Sequence, residues 1–75
     1  MEFEVLAAWS AGISVRNFAD GRDWSYGICY REGRRRIGEW IKMRSSMDES
    51  LPTVAEAIPP FRFACAEALR RGLVD

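Results

Sequence analysis

Residues 24–44 read WSYGICYREGRRRIGEWIKMR and contain the clearest strand pattern of the sequence. Apolar and polar side chains alternate up to residue 31, a pattern typical of a strand with one buried face. Glu32-Gly33 then predicts a two-residue hairpin turn, since glycine readily adopts the positive φ that such turns need. An alternating return segment follows. The stretch therefore predicts a β-hairpin with strands over residues 24–31 and 34–44.

A turn at Glu32-Gly33 also fixes which residues of the hairpin face each other. It pairs Arg31 with Arg34, Tyr30 with Arg35, Ile28 with Ile37, Trp24 with Ile41 and Gly27 with Gly38. One face becomes apolar and carries Trp24, Tyr26, Ile28, Ile37, Ile41 and Met43. The other becomes basic and carries Arg31, Arg34, Arg36, Trp40, Lys42 and Arg44. For the two facing glycines, a bulge or the close approach of another element is favoured over a ligand-binding role.

Two further strands are predicted before the hairpin. Residues 2–9 alternate, with Phe3, Val5, Ala7 and Trp9 on one side. Residues 13–18 form the second candidate strand, and the glycine- and aspartate-rich residues 19–23 form a turn before the hairpin.

The C-terminal third predicts helix. Thr53 and Glu56 form a T-x-x-E capping box that opens a first helix over residues 54–58. Pro59-Pro60 should interrupt it, because a residue before proline is disfavoured in the α region, and a second helix should run over residues 60–71. Helical spacing places an apolar stripe on the second helix, formed by Phe61, Ala64, Cys65, Ala68 and Leu69.

These elements predict one α+β domain over residues 1–75. It is an antiparallel β-meander of three to four strands, followed by a proline-interrupted C-terminal helix that packs on one sheet face. The expected core is Trp24, Ile28, Ile37, Ile41, Phe61, Cys65 and Leu69. Truncation of a core residue such as Leu69 to alanine is accordingly expected to cost about 2–5 kcal/mol.

Composition argues against catalysis and metal binding. The chain has 75 residues, no histidine and two cysteines, Cys29 and Cys65. Neither cysteine has metal-type spacing, and a serine or cysteine nucleophile would lack its usual base. We expect no catalytic residue, no metal and no cofactor. The acidic start and the lack of a long apolar run predict a cytoplasmic protein with no membrane contact and with reduced thiols.

The distribution of charge is the main functional signal. The chain is neutral, but residues 24–44 hold six basic and two acidic side chains, a net +4 that leaves −4 for the rest. Arginine is enriched at protein interfaces, and basic residues with an aromatic side chain also suit phosphates and bases. A solvated sheet face that resists aggregation is the third interpretation. The predicted partner-binding residues are Arg31, Arg34, Arg36, Trp40, Lys42 and Arg44.

Several short motifs resemble the first half of an RNase H-like domain. They are Phe18-Ala19-Asp20-Gly21, residues 26–31, and Val54-Ala55-Glu56 at a helix start. The resemblance implies a β-β-β-α arrangement and matches Asp20 and Glu56 to that family's catalytic carboxylates. The third carboxylate of the family has no counterpart in residues 12–75. A half-domain of this kind is also similar to HicB-type antitoxin domains, which bind protein partners.

Together these features predict a small non-enzymatic binding module of an accessory, antitoxin-like or phage-inhibitor type. Its expected partner is a protein with an acidic surface, because a neutral chain with −4 outside the hairpin would repel a long phosphate backbone. A nucleic-acid-binding β-ribbon is the first alternative. A fragment of an RNase H-like metal-dependent nuclease is the second.

Overall fold

A computed structural model of the chain describes residues 2–44 and 53–75. Four strands, β1 (Phe3–Trp9), β2 (Gly12–Asn17), β3 (Arg22–Arg31) and β4 (Arg34–Arg44), precede one helix, α1 (Val54–Arg70). The strands form a single antiparallel sheet in the order β1-β2-β3-β4, with α1 against one face. The predicted α+β meander with a C-terminal helix is therefore confirmed.

The hairpin turn lies at Glu32-Gly33, as predicted from the sequence. Glu32 and Gly33 have φ values of 52° and 78°, so both central residues adopt the left-handed conformation of a type I′ turn. Arg31 pairs with Arg34, Tyr30 with Arg35 and Ile28 with Ile37. The predicted register is therefore correct for the half of the hairpin next to the turn.

Farther from the turn, two irregularities in β4 change the register. One lies between the partners of Tyr26 and Ile28, at Gly27 and Gly38, where the facing glycines favoured a bulge. The second lies between the partners of Ser25 and Tyr26. Each adds a residue to β4, so Trp24 pairs with Met43, and the predicted pairing with Ile41 is wrong.

The same irregularities change the register partner of Trp40. A regular hairpin would pair it with Ser25 on the basic face, whereas the observed partner is Tyr26, a residue of the helix-covered face. A bulge has the same effect in β1 between Val5 and Ala7. There Ala8 pairs with Ile13, and the predicted alternation of residues 2–9 fails after Val5.

The prolines do not end the helix. Val54–Arg70 is one element that contains Pro59 and Pro60, so the predicted break into two helices is wrong. The capping box is present, with Thr53 and Glu56 bonding reciprocally at the first turn. Pro60 is fully buried. We attribute the continuity to these two anchors, which hold the backbone on either side of the hydrogen bonds that proline removes.

The core lies between α1 and the first three strands. Its fully buried members are Ile13, Val15, Trp24, Tyr26, Ala64 and Ala68. The helix packs mainly on β2 and β1, and the Phe3 and Phe63 rings stack with centroids 5.3 Å apart. Small alanine side chains let the helix approach the sheet closely, over a core to which β2 and β3 each contribute two fully buried residues.

The predicted core is only partly correct. Trp24 is buried, but Ile28, Ile37 and Cys65 are half-buried, and Phe61 and Leu69 are 39% and 61% exposed. The helix is rotated toward β1, and its buried stripe runs through Ala57, Pro60, Ala64 and Ala68. The remaining predicted member, Ile41, has a side chain outside the described part of the chain.

Candidate binding surface

The β3–β4 hairpin extends beyond the rest of the sheet. The β2 strand pairs with β3 only as far as Gly27, and the hydrogen bond from the Ile28 N–H to the Ala11 carbonyl is the last between them. Residues 29–36 therefore form a two-stranded ribbon in which no described strand lies beside β3. The outer edge of β3 is unpaired over this ribbon.

Three arginines are grouped on one face of this ribbon. Arg31 and Arg34 are register partners, and Arg36 pairs with Cys29 two positions along the same face. All three side chains are exposed. We call Arg31, Arg34 and Arg36 the arginine surface. It is the described half of the predicted partner-binding set.

Most other described arginines are neutralised by carboxylates. Arg16 contacts Asp23 at 2.7 Å, Arg22 contacts Glu56 at 2.6 Å, and Arg35 contacts Asp75 at 2.9 Å. Arg70 and Arg71 both contact Glu67. By contrast, the arginine surface makes no ion pair or side-chain hydrogen bond to any described residue. It is a local concentration of positive charge, which only the longer-range attraction between Arg34 and Asp75 offsets among the described residues.

For the other predicted partner-binding residues, Trp40, Lys42 and Arg44, the structure describes only the backbone. Lys42 pairs with Ser25 and Arg44 pairs with Asp23. Trp40 is the register partner of Tyr26, and not of Ser25 as a regular hairpin predicts. The side chains of residues 39–44 lie outside the described part of the chain.

A groove adjoins the arginine surface. It lies between β4 and α1 because the helix leans toward β1 and leaves this side of the sheet face uncovered. The groove has a volume of about 370 Å³ and is lined by Arg35, Arg36, Ile37, Phe61, Cys65, Leu69, Val74 and Asp75. A smaller hollow of about 250 Å³ continues around β4 to Cys29, Arg31 and Gly38. Apolar side chains and unpaired arginines therefore meet at one place.

The floor of the groove is chemically inert. Burial raises the pKa of the Cys65 thiol, which keeps that sulfur protonated and unreactive at neutral pH. Burial, and to a smaller extent Cys65, raises the pKa of Tyr26, whose ring meets Phe61 edge to face at 5.7 Å. No described residue bonds to the Tyr26 hydroxyl. Both cysteines are free, with Cys29 exposed and Cys65 half-buried.

The two carboxylates matched to RNase H-like enzymes lie on either side of one arginine. Glu56 Oε2 is 2.6 Å from the Arg22 guanidinium, and Asp20 Oδ2 is 4.0 Å from it. Asp20 also accepts a hydrogen bond from the Arg22 backbone N–H, and Glu56 closes the capping box. Hydrogen bonds from Thr53, and then from Arg22, lower the pKa of Glu56. One cation therefore already offsets part of the negative charge of this pair, and both carboxylates have structural roles.

Asp75 is a contact that the sequence did not predict. Its carboxylate accepts hydrogen bonds from the Arg35 side chain and from the Arg35 backbone N–H, and its own N–H donates to the Arg35 carbonyl. The neighbouring Arg35 lowers the pKa of Asp75 to about 2. Val74 and Asp75 thus lie against the outer edge of β4, although no local pattern marks residues 73–75 as part of a site.

Within residues 2–44 and 53–75, no group of three histidine, cysteine or carboxylate side chains is placed to hold a metal ion. No helix there is long and apolar enough to cross a membrane. Comparison of the chain with protein-family models, with curated proteins and with solved structures finds no match.

Proposed function

We propose that this chain is a non-enzymatic binding module that docks on an acidic surface of a partner protein through Arg31, Arg34 and Arg36. The observation that carries the proposal is the contrast among the arginines. Arg16, Arg22 and Arg35 of the sheet are held by carboxylates, whereas the three arginines of the arginine surface are exposed and make no ion pair to a described residue. Three like charges on one ribbon face repel one another, and a complementary acidic surface relieves that repulsion.

The surroundings of the arginine surface favour a protein over a nucleic acid. The adjoining groove offers Phe61 and Leu69, both partly exposed, and Tyr30 on the ribbon is 74% exposed. Protein interfaces combine apolar anchors with arginine and tyrosine, and a few such residues supply most of the binding energy. Duplex phosphates would use the arginines alone, and the net −4 outside the hairpin opposes an extended phosphate backbone.

A nucleic-acid-binding ribbon is the second candidate, and one observation favours it. The ribbon at residues 29–36 projects past β2 with three arginines exposed, and a two-stranded ribbon fits the major groove. The two candidates differ in how binding responds to mutation. Phosphate binding weakens by a similar factor for each lost cation, whereas protein binding concentrates in a few anchors.

Affinity capture from the native host, with and without nuclease, tests the proposal. Wild-type chain is compared with Arg34→Glu/Arg36→Glu and with Arg62→Glu, which reverses an exposed helix arginine elsewhere on the molecule. We expect one protein to be retained after nuclease treatment by the wild type and by Arg62→Glu, and to be lost with the double variant. Retention by the double variant, or loss of all retained protein with nuclease, contradicts the proposal.

A further inference from the structure

The outward edge of β4 offers backbone hydrogen-bonding groups next to the groove. In a two-residue hairpin the residues that flank the turn, Arg31 and Arg34, form a hydrogen-bonded pair, and the pairs then alternate. The Ile28 N–H accordingly points to Ala11 of the β1–β2 turn. Its partner Ile37 must therefore direct its N–H and carbonyl away from β3, toward the outer edge of the sheet.

The chain itself shows that this edge can hydrogen-bond to a residue from another part of the fold. At Arg35, the preceding outward-facing position, the backbone N–H donates to the Asp75 carboxylate at 2.8 Å. The Arg35 carbonyl accepts from the Asp75 N–H at 3.1 Å. Asp75 is the sole described residue that hydrogen-bonds to the outer side of β4 over residues 34–38. The next outward-facing position, Ile37, opens directly onto the groove.

The chemistry on the two sides of this edge differs. An added strand lies about 4.8 Å from its neighbour and points successive side chains to opposite sides. On the helix side such side chains would meet Phe61, Cys65 and Leu69. On the other side they would meet Arg31 and Arg36, which the register places on the opposite face from Ile37. Arg36 also lines the groove with Phe61. The edge therefore suits a strand that alternates apolar and acidic residues.

A second copy of the chain is a poor occupant. Two β4 edges paired around Ile37 would bring the Arg36 side chains, and with them both arginine surfaces, close together. Like charges across neighbouring strands are destabilising. An acidic strand from another protein instead neutralises those arginines.

We propose that the outer edge of β4 at Ile37 binds an extended segment of a partner protein as an added antiparallel or parallel strand. The apolar residues of that segment enter the groove beside α1, and its acidic residues meet the arginine surface. This inference rests on the proposed function and names the form of the partner. The backbone of the segment supplies affinity, and its alternation supplies specificity.

A peptide titration on the full chain tests strand addition. The probe is a short fluorescent peptide that alternates aspartate and valine, followed by anisotropy. Ile37→Pro removes the outward N–H without removing a ladder hydrogen bond, because Ile28 and Ile37 are not a hydrogen-bonded pair. Ile37→Val keeps the N–H and is the matched control. We expect Ile37→Pro to weaken binding about tenfold and Ile37→Val to change it less than about twofold.

A second probe covers the case in which Ile37→Pro does not fold. The same peptide with N-methyl groups at alternate residues keeps its charge and apolar content but loses its strand donors, and the protein stays unaltered. We expect it to bind wild-type chain at least about tenfold more weakly than the parent peptide. Equal binding of the two peptides overturns strand addition.

The arginine variants separate this inference from the proposed function. Binding that is lost in Arg34→Glu/Arg36→Glu but unchanged in Ile37→Pro overturns strand addition and leaves arginine docking intact. Binding that needs Ile37 but is unaffected by the double arginine variant contradicts arginine docking. A wild-type chain that is dimeric without peptide, and monomeric as Ile37→Pro, overturns the inference by assigning the edge to a second copy.

Discussion

Truncation of Ile13 and of Leu69 to alanine should have very different costs. Both changes shorten a branched aliphatic side chain to the same methyl group. Ile13 is 0% exposed and lies in β2 under the helix, whereas Leu69 is 61% exposed on α1. A fully buried isoleucine truncated to alanine costs about 2–5 kcal/mol from lost transfer energy and the cavity that remains.

The cost at Leu69 follows from its burial. Complete burial of a leucine side chain is worth about 2 kcal/mol, so the two-fifths that is hidden is worth about 0.8 kcal/mol. Alanine also has the higher helix propensity, which returns a few tenths of a kcal/mol. The expected net cost is about 0.5 kcal/mol, well below the 2–5 kcal/mol that the sequence stripe predicts.

Urea and thermal unfolding, followed by tryptophan fluorescence, measure both variants. A loss of 1 kcal/mol lowers the Tm of a domain of this size by about 4–8 °C. Ile13→Ala should therefore lower the Tm by at least about 8 °C and Leu69→Ala by less than about 5 °C. Ile13→Val, with an expected cost of about 0.5–1.5 kcal/mol, serves if Ile13→Ala does not fold. Equal costs at Ile13 and Leu69 would refute the helix placement.

Three further changes probe the core and the cap, each measured by urea unfolding over a range of pH. Tyr26→Phe removes a buried hydroxyl that has no described partner, so it should stabilise by about 1 kcal/mol. Burial raises the pKa of Tyr26, so above pH 10 the unfolded chain loses the phenol proton more readily than the folded chain does. The free energy of unfolding should therefore be constant below pH 10 and fall as the pH rises above it, and Tyr26→Phe should abolish this fall. Gly12→Ala should cost about 1–3 kcal/mol, since a Cβ there would lie 2.8 Å from the Tyr26 carbonyl oxygen. Glu56 has a lowered pKa, so it stabilises fully above pH 4.5 and less as the pH falls further, and Glu56→Gln should flatten that acid dependence.

Each of these three changes has a contrary result. A Tyr26→Phe variant less stable than wild type would mean that the hydroxyl has a partner. Wild-type stability in Gly12→Ala would mean that β2 and β3 are not in the close register seen here. If the free energy of unfolding of Glu56→Gln falls at acid pH as much as that of the wild type, the capping box is not the source of the acid dependence.

Much of the fold follows from local sequence chemistry. The turn at Glu32-Gly33, the hairpin register beside it and the capping box at Thr53 each depend on residues close together in the chain. The bulges in β1 and β4 were harder to predict, because an inserted residue leaves the composition of a strand unchanged but moves every side chain beyond it to the other face. Only the facing pair Gly27 and Gly38 gave a signal.

The helix was harder to place because its packing is a tertiary property. The predicted apolar stripe contains both large and small residues, but only its alanines, Ala64 and Ala68, are fully buried, since only small side chains permit the observed approach to β2. The proline pair favours a break by local preference, and burial of Pro60 outweighs it. The groove beside β4 is a consequence of that rotation, so no sequence pattern marked it.

The arginine surface illustrates what sequence and structure each contribute. Charge counting located an excess of basic residues over residues 24–44. It did not separate Arg35, which is paired with Asp75 from the far end of the chain, from Arg34 and Arg36, which have no acidic contact among the described residues. Ion pairs between distant residues are decided by the tertiary fold.

We propose that the arginine surface recognises a protein and not phosphate. An electrophoretic shift titration of the chain with random duplex and single-stranded DNA and RNA at low salt tests it most directly, with Arg34→Glu/Arg36→Glu and Arg62→Glu alongside. We predict no micromolar binding and no difference among the three chains. Micromolar binding that fades steeply with added salt, and that is lost in the double variant but kept in Arg62→Glu, would contradict the claim.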